Sequence, residues 1–119
     1  MASNGVLQKK FREIGSGVMV PVRPVTHSEG LAALEGSRWR QAGMEEVRMI
    51  AETNPTVRAL LRRNDRYVLT SEINQEHNCP VAVEIDPDGK SYPVGHAILP
   101  DYQGEMVLLP VASGLARAT

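Results

Sequence analysis

The sequence predicts an α+β fold: a small twisted antiparallel β-sheet or partly open barrel with a few short helices. Apolar residues recur at helical spacing in residues 5–14, 28–36 and 55–63. Strand-like runs at 66–73, 81–86 and 91–99 follow, and the turn Pro87-Asp88-Gly89 joins the last two as a hairpin. The 119 residues amount to one ordinary domain, and 42% hydrophobic with 23% charged residues is a globular balance. We divide the chain into 1–25, a helix and extended proline-containing arm, and 26–119, a single globular α+β domain.

In residues 5–14, Leu7, Phe11 and Ile14 form one stripe of a short helix, with Lys9, Lys10 and Arg12 between them. Gly15-Ser16-Gly17 stops that pattern. From Val18 to Val25, apolar residues alternate with Pro21 and Pro24. Proline cannot donate to a ladder, so this segment reads as an edge strand or arm, not a central strand. Ser28 is placed to cap a helix through Leu31 and Leu34 that ends near Gly36.

Residues 38–52 fit two patterns. Trp39, Gly43, Val47 and Ile50 match a helix face, whereas Val47, Met49 and Ala51 match a strand. We divide them into a helix to about Glu45 and a strand after it. Asn54-Pro55 is an N-cap followed by proline at the first helical position. Val57, Leu60 and Leu61 form the buried stripe of that helix. Arg62 and Arg63 sit at its C-terminus, where cations suit the helix dipole, and Asn64 closes it in the left-handed conformation. In the second strand Val81, Val83 and Ile85 face one way, Ala82 and Glu84 the other. Pro100-Asp101 opens a final short helix, and Pro110 interrupts whatever 106–109 form.

Several function classes find no support. No apolar run approaches the ~18 residues of a membrane helix, and the polar start of the chain has no secretory h-region. Cys79 is the only cysteine, which excludes an intrachain disulfide and points to the cytoplasm, or to a virus particle assembled there. Phosphate-binding glycine loops, paired zinc motifs and nucleophile elbows are absent. His77 and Cys79 are close but form the only such pair, and they read as a loop histidine beside a buried cysteine. His96 alternates with Val94 and Ile98 as a half-buried sheet histidine. We therefore expect no enzymatic activity, no metal and no cofactor.

Charge is unevenly placed. Residues 1–66 carry 11 basic and 7 acidic residues, net +4, and residues 67–119 carry 2 and 7, net −5. Such asymmetry serves an acidic partner such as nucleic acid. It equally lets copies stack basic end to acidic end, or is a solvated surface without a partner. Arg58, Arg62, Arg63 and Arg66 cluster around one helix end and could neutralise phosphates, with Tyr67 and Tyr92 as the nearest aromatics able to stack on bases.

One longer pattern runs through the second half. A helix with Leu60-Leu61 is followed by Asp65, a strand with Leu69, then Glu72. Next come Asn74-Gln75-Glu76-His77-Asn78-Cys79-Pro80-Val81-Ala82-Val83, the Asp88-Gly89-Lys90 turn, Val94-Gly95, Leu99-Pro100, and a last segment with Glu105, Leu109 and Gly114. In order and spacing this resembles the HIRAN domain, a small β-rich module that binds DNA, often at single-stranded ends. The resemblance covers residues 58–114, about half the chain. It implies a nucleic-acid partner, with Asn74 and His77 joining the arginines at the interface. The chain departs from the family where a tyrosine and an aspartate help hold the DNA end, since Glu76 and His77 stand there. In place of the expected arginine–tyrosine pair it has something like Glu52-Thr53. The resemblance thus carries the fold further than the end-binding pocket.

Two non-enzymatic functions follow. One is a nucleic-acid-binding module of this type. The other is an assembly protein, such as a small phage virion component that decorates a capsid or joins head to tail through protein contacts or self-association. In that second reading Val18, Val20, Val22 and Val25 are the oligomer contacts. The arm separates the two: an assembly protein buries residues 18–25 on another chain, whereas a monomeric DNA binder folds them onto its own core.

Overall fold

The computed structural model describes residues 2–15 and 17–112. Gly114 and Ser16, used above, lie outside them. The fold is α+β, as the patterning predicts. Its elements are α1 (Ala2–Lys10), β1 (Phe11–Glu13), β2 (Met19–Pro21), α2 (His27–Leu34), β3 (Trp39–Gln41), α3 (Met44–Thr53) and α4 (Pro55–Arg62), then β4 (Val68–Asn74), β5 (Cys79–Ile85), β6 (Ser91–Pro93), β7 (Glu105–Met106) and β8 (Leu108–Pro110). Two four-stranded sheets form, in the orders β1-β2-β8-β3 and β6-β5-β4-β7. Neither closes into a barrel. The second is mixed and not purely antiparallel, because β7 runs parallel to β4. No helix among the described residues is long and apolar enough to cross a membrane.

The long hairpin β4–β5 divides the interior. Side chains alternate across a strand, so Val68, Val83 and Ile85 join Val47, Ile50, Val57 and Leu61 under α3 and α4. Their neighbours Leu69 and Ala82 join Leu7, Phe11, Val25, Met106 and Leu108 in a second core. The alternation read in β5 is therefore correct, with both faces used.

Helix α4 forms where expected. The Asn54 side-chain oxygen accepts from the Val57 N–H at 3.1 Å, with Pro55 in the first turn. The residue in the left-handed region is Asp65, at φ 54°, and not Asn64. The Asn64 side chain turns inward to Glu105 instead. The β5–β6 turn also forms as expected, with Gly89 at φ 90° and its N–H donating to the Asp86 carbonyl at 3.0 Å.

Elsewhere local patterns yield to pairing. The first helix stops at Lys10, because Phe11, Arg12 and Glu13 pair with Pro21, Val20 and Met19. Strand β2 lies between β1 and β8, so it is interior and not an edge. Its proline takes the last strand position, leaving Met19 and Val20 to carry the ladder. Val20 and Val25 are buried in the chain's own cores, Val18 is half-buried against one of them, and Val22 is exposed. Residues 18–25 are therefore packed on the domain and do not stand apart as an arm.

Helix α2 is capped by Thr26 and not by Ser28. The Thr26 hydroxyl accepts from the Glu29 N–H at 3.1 Å, and the Glu29 carboxylate accepts from the Thr26 N–H at 2.9 Å, a reciprocal cap. Gly36, at φ 73°, follows its end as expected. Residues 38–52 run in the reverse order from that expected: strand β3 first, then helix α3. Glu46 accepts from the Gly43 N–H at 3.0 Å, and Val47, Ile50 and Ala51 form the buried face. The third strand of the expected sheet stops at Pro93, which places His96 in an exposed loop and not half-buried in the sheet. Residues 99–102 make a turn, closed by the Tyr102 N–H on the Leu99 carbonyl at 3.0 Å, where a helix was expected.

Candidate nucleic-acid interface

The predicted arginines do gather around the end of α4, but three of them hold neighbouring backbone. One terminal nitrogen of Arg58 donates to the carbonyls of Ala51 and Asp88 at 3.1 and 3.2 Å, tying α4 to α3 and to the β5–β6 turn. Arg62 Nε donates to the Ile85 carbonyl at 3.1 Å. Arg63 donates to the Pro21 carbonyl and lies 3.9 Å from Glu105 Oε1. A guanidinium carries five N–H donors, so each keeps others beyond these bonds. Arg66 is placed differently, with its guanidinium 5.7 Å above the ring of Tyr102.

Asn74 and His77 sit at the β4–β5 hairpin tip. Asn74 Oδ1 accepts from the N–H groups of Glu76 and His77 at 3.0 and 3.3 Å, a side-chain-closed turn. His77 Nε2 is 3.1 Å from Glu76 Oε1. His77 also lines a cavity of about 330 Å³ with His27, Asn78, Cys79 and Tyr102. Cys79 is buried there and accepts the Ile98 N–H on sulfur at 3.4 Å, which makes it a packing residue. Among the described residues no three His, Cys, Asp or Glu side chains group to hold a metal ion.

What sequence reasoning missed is an aromatic surface. Tyr67 stacks on Tyr102 with ring centroids 5.7 Å apart and planes 28° from parallel. His96 meets the Tyr67 ring at 5.8 Å and 57°. The Tyr102 hydroxyl oxygen accepts from the Tyr67 N–H at 2.8 Å, which fixes the pair. A cavity of about 330 Å³ opens beside them, lined also by Asp101 and by Leu99, which is 67% exposed. Tyr67 was visible in sequence as a stacking candidate. Tyr102 and His96 were not, because they reach Tyr67 from a distant loop. Tyr92 stands apart, its hydroxyl donating to Asp86 Oδ2 at 3.2 Å.

Beneath this surface lies Glu105, which is 0% exposed. Its Oε2 accepts from Asn64 Nδ2 at 2.8 Å, and among the described residues its Oε1 has no hydrogen-bond partner. Burial pushes its carboxyl above the ordinary carboxylate range, while Asn64, Arg63 and Arg66 pull it partly back.

Comparison of the chain with protein-family models, curated proteins and solved structures gives no match. The site's own chemistry is a cation, an exposed histidine and two half-buried tyrosines packed against the second core.

Proposed function

We propose that this chain is a non-enzymatic nucleic-acid-binding module, and that it takes single strands on the surface formed by Arg66, Tyr67, His96 and Tyr102. The observation that carries this reading is the convergence of two stacked tyrosines and a histidine ring beside an open cavity, with the Arg66 guanidinium over the Tyr102 ring. Unpaired bases stack on aromatic and guanidinium planes, and arginines supply attraction to the backbone phosphates. All four residues fall within the segment that resembles the HIRAN domain, and they bring two tyrosine rings where the hairpin tip has Glu76 and His77. Arg66 is the leading phosphate contact in this reading, Arg62 and Arg63 add the donors that their backbone bonds leave, and Arg58 is chiefly structural. Val20 and Val25 are buried within the chain itself and only Val22 is exposed, which favours the binding module over an assembly protein.

The test is binding of a labelled 16-nucleotide single strand by fluorescence anisotropy over a range of salt. Stacking contributes about 1–3 kcal/mol per base, so Tyr102→Leu should weaken binding by about 5- to 150-fold. Tyr102→Phe, which keeps the ring but loses the hydroxyl that holds the Tyr67 N–H, should weaken binding less than Tyr102→Leu does. A parent affinity that is absent, or insensitive to salt, rejects the reading.

A further inference from the structure

A second basic feature lies at the other end of the chain and is unused by the interface described above. A cavity of about 540 Å³ opens between the C-terminal end of α1 and the segment after β2, with Lys9, Lys10 and Arg23 on its walls. The Val22 N–H donates to the Lys10 carbonyl at 2.8 Å, which fixes the two walls against each other. Val6 and Val22, 41% and 49% exposed, supply apolar surface. Among the described residues the one acid on the lining is Glu29, and it is already committed. One of its oxygens accepts from the Thr26 N–H at 2.9 Å and the other lies 3.7 Å from Lys10. The groove thus carries a net charge of +2 from three cations and one carboxylate.

The groove is also linked to the first interface through the backbone of β2. Arg63, three residues before Arg66, donates to the carbonyl of Pro21. Pro21 immediately precedes Val22 and Arg23, which form one wall of the groove. Arg63 thus ties the end of α4, through the Pro21 carbonyl, to the segment that carries Arg23 and that bonds Lys10 through Val22.

We propose that this groove is a phosphate track for the same nucleic-acid strand whose bases stack at Tyr67 and Tyr102. The inference rests on the function proposed above. The track lengthens the site from a base-stacking platform to an extended interface. Its cations meet phosphates while Val6 and Val22 meet sugar and base edges. No sequence preference arises here, since the contacts are to the backbone.

The test uses the full chain, the double variant Lys9→Ala/Arg23→Ala, and single strands of 4 and 16 nucleotides. Both side chains are exposed, so the variant should melt at the parent's temperature. Each phosphate contact contributes about 0.7 to the slope of log affinity against log salt for single strands. The variant should therefore bind the 16-mer with a slope lower by roughly 1.4, and the 4-mer as the parent does. A charge-reversed variant, Lys9→Glu/Arg23→Glu, should weaken the 16-mer further. If the parent binds the 16-mer and both variants match it in slope and affinity, the track is wrong and the stacking site stands. If the variants keep the 16-mer but lose a glutamate-rich peptide that the parent binds, the groove belongs to a protein partner and the proposal is overturned. If the parent binds neither oligonucleotide, the proposed function fails and the track with it.

Discussion

Replacing Glu105 with glutamine should stabilise the protein at neutral pH and flatten its pH dependence. The carboxyl is completely buried, one oxygen lacks any hydrogen-bond partner among the described residues, and the nearest cation there, Arg63, is 3.9 Å away with a side chain 28% exposed. Two effects oppose each other here. Attraction to Arg63 and Arg66 favours the carboxylate, and burial disfavours it. Burial wins, because Arg63 is partly solvated and already donates to the Pro21 carbonyl. The folded-state pKa therefore lies above the unfolded value, near 4.5. Below the unfolded pKa both states hold the proton, and this contribution to stability is fully present. As pH rises through the folded pKa it is lost, because the native state binds the extra proton. A buried polar group without a partner costs about 1–3 kcal/mol, and the exposed side of the Arg63 pair returns only about 0–1 kcal/mol. Glu105→Gln removes the buried charge but keeps a buried amide, so its advantage should appear above the window and grow with pH. Urea unfolding of parent and variant from pH 4 to pH 8 measures this directly, with a gap that widens as pH rises. A variant less stable than the parent at pH 8, or a gap independent of pH, would refute the reasoning and show that the ion pair outweighs burial.

Two further predictions concern packing and the arginines. Leu61→Ala should cost about 2–5 kcal/mol and Val83→Ala about 1–3 kcal/mol, since both side chains are buried in the core under α3 and α4. Leu60, only partly buried there, should cost less than Leu61, and denaturant midpoints that reverse this order would contradict the assignment of faces. Arg62→Ala/Arg63→Ala should lower stability by about 1–3 kcal/mol, because both guanidiniums donate to backbone carbonyls of other elements. Exposed charges alone would cost almost nothing, so an unchanged thermal midpoint would show that these bonds do not persist in solution.

The elements legible in sequence are those whose cause is local. Asn54-Pro55 places the start of α4 because the cap bond and the fixed proline φ act within one turn. Pro87-Asp88-Gly89 places the hairpin because the turn needs a residue that tolerates positive φ. The alternation in β5 held as well, since strand geometry sets which side chain faces which way. Residues 38–52 misled because Val47 serves either period over so short a window. Gly43 as a cap, with Glu46 closing on it, decides for the helix, and that bond becomes visible only once Ala42 and Gly43 leave strand β3.

Sequence by itself determined the fold class, the cap that opens α4, the β5–β6 turn, the lone buried thiol and the uneven charge. Tertiary structure alone decided where the charges and rings are used. Strand β2 is interior because Met19 pairs with Leu108, a partner that no local pattern can name. Three arginines that read as free cations are bonded to the carbonyls of Ala51, Ile85 and Pro21. Tyr67, His96 and Tyr102 form one surface only because the loop after β6 folds back over the start of β4. Side-chain periodicity is a property of a few consecutive residues. Pairing between residues tens of positions apart depends on which strands the closed core brings together.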